Sequence, residues 1–465
     1  MLLYSTNAIN DAILKLNNQE ALVLKKEISK DNEKLKSMPS GDERLQVIEG
    51  INYKKRQLLN KISSSELATE IVDIDWSDIS NSLKYNEVAI EFFSYESHDC
   101  TNYVAAILQK NLAPQIIGLF NDKKIAHFLL EDNVYDYNNP EFYKVCWGIL
   151  DKYVLGSKKT IYFSPDGVLN NIAIEYITDS NDIRANEKWN LYRLSSTREL
   201  LNTTAKDGNK NIVILYGGLN YTKKQIPEID LTQRDNNLKR SGLSFDYLIN
   251  TKEEVISIQK MFADRKHITK LYIGDDGKES SIFSIAGQYV SVLHFATHDF
   301  YWSKENSVDY GKYPFLKNAS INGVTETTLL RSGLELSHAY EGITNGLKPE
   351  EDGILTSYEI SQIDMSNVDM VTLSACETGL GDVTGDGVFG LQRGFKLAGA
   401  QSLLISLWKV DDYATQILMN RFYQGLLDGE TKNEALLHAQ QKVRSNKAYE
   451  LPDYWAAFIL LDGLN

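Results

Sequence analysis

An α/β protein with mostly parallel, doubly covered sheets behind an N-terminal helical hairpin is the architecture this sequence predicts. Three features lead to it: apolar residues at three- and four-residue steps near the start, short uninterrupted apolar runs farther on, and helical spacing between several of those runs. Uninterrupted runs suit strands buried on both faces, and strands that alternate with helices imply right-handed crossovers between parallel neighbours.

Size and charge narrow the function. A chain of 465 residues exceeds what one hydrophobic core serves, so two or three packed units are expected. Its 43% hydrophobic and 24% charged residues are those of a soluble globular protein. With 49 basic against 63 acidic residues the net charge is −14, which argues against a nucleic-acid or anionic-membrane surface. Cys100, Cys146 and Cys376 lie far apart without CxxC spacing. Neither a disulfide framework, a metal site nor another cofactor is expected from them, and a reducing compartment fits. The start carries no basic segment followed by an apolar core, and no stretch is long enough to span a bilayer, so a cytoplasmic protein is expected.

Residues 10–62 repeat apolar side chains in helical spacing, among them Leu14, Leu22, Ile28, Leu45, Ile48, Ile51 and Leu59, with one break at Pro39-Ser40-Gly41. A hairpin over residues 1–75 cannot bury that stripe alone, and a helical regulatory partner is expected to dock on it. Residues 76–205 carry strand-like runs at 88–93, 103–108, 115–120 and 159–163, a helical stretch near 140–155, and a turn at Ser164-Pro165-Asp166-Gly167. Residues 206–465 hold runs at 211–216, 269–273, 290–296, 368–375 and 403–408, with helical patterns at 252–262 and 387–397. Thr431 and Glu434 form a capping box ahead of a helix to about Val443, and residues 455–461 supply the last strand.

Two of these runs end in reactive side chains. One finishes Leu293-His-Phe-Ala-Thr-His298 and the other Leu373-Ser-Ala-Cys376. Read as neighbouring parallel strands, they bring an imidazole and a thiol to one carboxyl edge, where open α/β sheets hold their ligands. A thiol beside an imidazole is a nucleophile at neutral pH, while a cysteine in an apolar run is equally a small core residue. His294 lies on the same strand face as His298 but about 13 Å away, so it reads as a packed strand histidine. His98, His127, His267, His338 and His438 show no comparable setting. Residues 274–280 lack phosphate-loop spacing, and residues 382–393 put Arg393 where a calcium loop needs glutamate.

Ordered blocks carry a likeness beyond single motifs: Ser164-Pro-Asp-Gly-Val-Leu, Leu293 to His298, Ser332-Gly-Leu-Glu-Leu, Asp352-Gly-Ile-Leu-Thr-Ser-Tyr-Glu-Ile360, Leu373 to Gly379, Leu407-Trp-Lys-Val-Asp-Asp412 and Tyr454-Trp-Ala-Ala-Phe458. Over residues 87–465 the chain resembles the CHAT domain, a caspase-like, separase-related peptidase module found behind tetratricopeptide repeats. The resemblance implies a three-layer α/β/α caspase-like fold, with residues 76–205 a degenerate pseudo-caspase half and residues 206–465 the catalytic half. It also implies a cysteine endopeptidase acting on protein substrates through a His298 and Cys376 dyad. Backbone N–H groups at Asp299 and Cys376 would then steady the oxyanion.

Asp412 matches the position where the separase-like pattern faces a basic P1 side chain, and Asp386 is a second pocket candidate. Capping of the following helix by Asp411 or Asp412 explains the same residues. The family pattern places glycine after the histidine, whereas this chain has Asp299, whose carboxylate would oppose a developing oxyanion. A catalytically silent adaptor is therefore the second reading. The polar segment from Tyr301 to Pro349 is expected to cover the site under control of the partner on the hairpin.

Overall fold

A computed structural model of the chain describes residues 19–37, parts of 46–57, 74–97, 99–130, 134–152, 159–202, 211–222, 246–301, 329–345, 352–374, 382–384 and 387–464. In chain order the strands are β1 (Glu87–Ser97), β2 (Cys100–Gln109), β3 (Gln115–Asn121), β4 (Thr160–Ser164), β5 (Asn190–Arg193), β6 (Ile212–Leu219), β7 (Ile268–Gly274) and β8 (Val290–Ala296). They continue as β9 (Asp299–Tyr301), β10 (Ser332–Glu335), β11 (Ile354–Thr356), β12 (Val368–Leu373), β13 (Asp382–Thr384), β14 (Gly387–Phe389), β15 (Ser402–Ser406) and β16 (Phe458–Leu461). The longer helices described are α1 (Gln19–Ser37), α2 (Ile249–Asp264), α3 (Leu391–Ala398), α4 (Asp412–Leu427) and α5 (Lys432–Arg444).

Packing divides the chain into two units, neither continuous in sequence. Met1–Asp73, Gly208–Asp382 and Phe389–Gln401 form the first; Ile74–Asp207, Val383–Val388 and Ser402–Asn465 form the second. This differs from a sequential boundary near residue 205. The last segment joins the 74–207 unit because β16 pairs in parallel with β5 and Asp462 accepts from both the N–H and the hydroxyl of Ser195 at 2.8 Å.

In the first unit, α1 buries Ile28 and the helical residues between 46 and 57 bury Ile51, and Lys54 ties the two stretches together by binding Asp31 at 2.6 Å and Glu27 at 3.3 Å. The break at residues 39–41 lies outside the described residues. The main sheet runs β12-β8-β6-β7, all parallel. β6, β8 and β12 are buried almost throughout, as uninterrupted apolar runs demand, whereas the edge strand β7 is only half-buried. Register puts Tyr216 beside both Tyr272 and Phe295, and the rings stack at 4.6 and 4.9 Å. Gly217 lets α2 approach, since a Cβ there would stand 2.7 Å from the Thr251 carbonyl.

The chain enters this sheet at β6, steps outward to β7, then returns to β8 on the other side of β6. That reversal makes the β6/β8 carboxyl edge the topological switch point, the place where open α/β sheets bind their ligands. A small antiparallel sheet, β11-β10-β9, follows. Residues 332–335 in it are fully buried, so this part of the expected polar cover is core instead; residues 302–328 and 346–350 lie outside the described residues. The helix expected over 387–397 starts only at Leu391, with Gly387–Phe389 extended as β14.

The second unit carries the sheet order β3-β2-β1-β4-β5-β16-β15. β1, β2 and β3 form an antiparallel meander, while β4, β5 and β16 extend it in parallel from β1. A turn as short as Ser97 to Cys100 cannot hold the dozen or so residues that a parallel crossover needs, which accounts for the mixed sheet. Behind it, Trp147 donates to the Ile174 carbonyl at 2.8 Å, and buried Arg193 holds Glu175 through two bonds of 2.7 and 2.8 Å. Thr431 and Glu434 form the expected capping box at α5. The closing strand is shortened to Phe458–Leu461, because Pro452–Tyr454 makes a single tight turn.

Candidate active site

The β6/β8 edge gathers the described part of the candidate site. His298 follows β8 by two residues and is half-buried. Its Nε2 lies 2.8 Å from the main-chain carbonyl oxygen of Asp246. A carbonyl only accepts, so Nε2 carries the hydrogen, and in the neutral ring the basic lone pair is on Nδ1. Tyr221, two residues past β6, packs its ring on the imidazole with 4.9 Å between centroids. The Tyr221 hydroxyl accepts the His298 N–H at 3.4 Å and shares a 2.9 Å bond with the Thr297 hydroxyl, which in turn donates to the Glu335 carbonyl at 2.5 Å. The His298 carbonyl accepts from the Glu335 N–H at 2.9 Å. The histidine is thus held on both sides of its main chain as well as at its ring. Burial raises the Tyr221 phenol far above its ordinary range, which keeps it neutral and fit for both roles.

Asp299 opens β9 opposite Leu334 and is half-buried beside His298 in sequence. Cys376 and Asp386 lie outside the described residues. The chain is followed to Ser374, whose N–H donates to the Phe295 carbonyl at 2.8 Å and so prolongs the β12/β8 register past the end of β12. Asp412 stands exposed in the first turn of α4, in the second unit, and Asp411 is the residue that caps this helix, accepting from the N–H groups of Tyr413 and Ala414 at 3.0 Å.

Several residues of this edge carry no signal in the sequence. Tyr221 and Asp246 sit in stretches without apolar period, and a main-chain carbonyl is invisible to any reading of side chains. Glu254, on α2, accepts from the Ser374 hydroxyl at 2.7 Å and lies 2.9 Å from Nε2 of His294. His294 is wholly buried, as a packed strand histidine should be, but its acidic neighbour comes from a helix 40 residues earlier. His338 also has a setting that its sequence hides: at φ +70° its Nε2 meets Asp275 at 2.9 Å, and Asn220 donates to the same carboxylate at 2.9 Å. The bond from Asn220, then that from His338, hold the Asp275 carboxyl below its usual range.

Among the described residues, no group of three His, Cys, Asp or Glu side chains is placed to hold a metal ion, and no helix is long and apolar enough to cross a membrane. What the edge offers is an anchored imidazole of defined tautomer at a switch point.

Comparison with known proteins shows the family of the chain. The CHAT domain family matches residues 141–463. Tetratricopeptide repeat protein 28 of Homo sapiens is 36% identical over 113 residues, 24% of this chain, and its Mus musculus counterpart is 36% identical over the same length. Those 113 residues span 4% and 5% of the two relatives. Among solved structures, the Arg specific cysteine proteinase gingipain R superposes with a TM-score of 0.39 at 9% identity, covering 72% of this chain and 69% of that one. The Saccharomyces cerevisiae separase-securin complex gives 0.37 at 12% identity, covering 95% and 27%. With its family matched over most of its length and its sheets of the expected α/β class, this chain belongs to the CHAT domain family.

Proposed function

We propose that this chain is a cysteine endopeptidase whose Cys376 thiolate attacks a peptide carbonyl, with His298 managing the proton. The observation that carries the reading is the Asp246 carbonyl at 2.8 Å from Nε2 of His298, which leaves Nδ1 as the atom that exchanges a proton with the reacting groups. The thiolate sulfur bonds to the carbonyl carbon and pushes its electrons onto oxygen, where the N–H groups of Asp299 and Cys376 stabilise the negative charge. Protonated His298 then gives its Nδ1 proton to the leaving nitrogen as the C–N bond breaks. Water completes the cycle: Nδ1 takes its proton, its oxygen attacks the thioester carbonyl, and the sulfur leaves as thiolate, restoring the pair with protonated His298. Asp412 is the carboxylate proposed to select a basic P1 side chain, and Asp386 is the second candidate for that role. A helical partner on the N-terminal hairpin is proposed to regulate the site.

The test is cleavage of peptide libraries with basic and acidic P1 residues. Activity toward basic P1 that disappears in Cys376→Ala and in His298→Ala supports the reading. Equal activity in Cys376→Ala defeats it. The alternative, a catalytically silent adaptor, is favoured by one feature, the carboxylate of Asp299 next to the base. A silent wild type together with a silent Asp299→Gly variant selects that alternative, whereas gain of cleavage in Asp299→Gly identifies a restrained peptidase.

A further inference from the structure

We infer that Glu254 is a positioning residue, which through Ser374 and His294 sets the spacing between the His298 base and the segment that departs toward Cys376; this rests on the peptidase reading above. Glu254 is 2% exposed and His294 is 0% exposed, so their polar atoms have little water to satisfy them. One oxygen of Glu254 serves two elements at once: it accepts from the Ser374 hydroxyl at 2.7 Å and lies 2.9 Å from Nε2 of His294. His294 stands four residues before His298 on β8, and Ser374 stands two residues before Cys376 after β12.

The same stretch of chain reaches the base from its other side. Asp246, three residues before α2 begins, supplies the carbonyl on Nε2 of His298. Residues 246–254 therefore form a bracket with one contact on the imidazole and another on the last described residue before the thiol. Thr251 fixes the bracket to β6, its hydroxyl accepting from the Gly218 N–H at 2.9 Å and donating to the Leu248 carbonyl at 2.8 Å. The order Ser–Glu–His, with the acid in the middle, does not activate the Ser374 hydroxyl, so the cluster is not a serine triad. Its chemistry is that of a clamp: one buried carboxylate oxygen accepts from the Ser374 hydroxyl and stands within ion-pair distance of the His294 ring, and buried surroundings offer no water to replace either neighbour.

A clamp of this kind moves quantities that a stability role alone leaves still. The experiment measures iodoacetamide alkylation of Cys376 against pH by peptide mass spectrometry in full-length protein, with Cys100 as internal reference, for wild type, Glu254→Gln, Ser374→Ala and the second-unit control Glu175→Gln. Melting temperatures and, where wild type cleaves, kcat and KM accompany it. The expected result is a Cys376 profile displaced in Ser374→Ala and Glu254→Gln, with Cys100 unchanged and Glu175→Gln lowering only the melting temperature. For a misplacement of the dyad, kcat should fall roughly tenfold or more at constant KM. Ser374→Ala removes a hydroxyl without stranding a new charge, so it carries the test if Glu254→Gln does not fold. Cys376 alkylation and kcat that match wild type in Ser374→Ala overturn the inference. Alkylation needs no turnover: a displaced profile in a protein that never cleaves keeps the positioning role and rejects only the peptidase.

Discussion

The Tyr221 ring rests on the His298 imidazole at 51° between planes, while its hydroxyl accepts the main-chain N–H of the same histidine at 3.4 Å. One buried side chain therefore sets both the pitch of the ring and the path of the strand that bears it. In Tyr221→Phe the ring remains and the bonds to Thr297 and His298 go. A loss of about 1–2 kcal/mol in chemical denaturation is expected, with a drop in kcat larger than any change in KM if the protein cleaves peptides. A variant as stable as wild type would show that the hydroxyl adds nothing.

Neighbouring aspartates at the start of α4 are expected to separate stability from specificity. Asp411 caps the helix, so Asp411→Ala should cost about 1 kcal/mol in thermal or denaturant unfolding. Asp412 is exposed and makes no cap, so Asp412→Ala should stay within about 0.5 kcal/mol of wild type. Its effect belongs in the peptide assay, as a weaker preference for arginine or lysine at P1.

Arg193 and Glu175 form a buried pair in which the guanidinium also donates to the Ile172 carbonyl at 2.6 Å and lies over the Phe163 ring at 5.2 Å. Glu175→Ala strands the cation and should cost about 3–5 kcal/mol, whereas Arg193→Met combined with Glu175→Leu should recover much of that loss. Denaturation of Arg193→Met, Glu175→Leu and the double variant measures the coupling directly.

Acid should weaken the second unit through Asp179. Burial alone would raise its carboxyl, but Lys188 at 2.6 Å and the N–H groups of Ile183 and Asn181 outweigh it and hold the group at about 2. A carboxyl lowered by folding adds stability that is fully present above its ordinary value, about 3.9, and is lost as pH falls toward the folded one. Unfolding followed from pH 5 downward should therefore show a shallower decline for Asp179→Asn than for wild type between roughly pH 4 and pH 2. Parallel acid limbs would remove this residue from the account.

Much of the frame is legible in local pattern. The runs at 290–296 and 368–373 are strands because uninterrupted apolar residues of that length suit a sheet covered on both faces, and α5 starts where Thr431 and Glu434 say it should. Boundaries fail where tertiary packing competes: Gly387–Phe389 extends instead of starting a helix, and the span after His298 turns into the buried strand β10. The meander of β1 to β3 was hidden for the same reason, since apolar runs do not tell parallel from antiparallel neighbours and only the two-residue link between β1 and β2 does.

The sequence by itself determined the fold class, the strand carrying His298, the helix capped near Asp411 and, through ordered blocks, the family. Tertiary structure alone decided what holds the candidate base. Asp246, Tyr221 and Glu254 reach His298 and Ser374 across separations of 52 to 120 residues, and one of those contacts is made by a main-chain oxygen that every residue possesses. Local propensity acts over a few residues, whereas the direction of a hydrogen bond is set by the strand order β12-β8-β6-β7, which brings those distant segments to one edge.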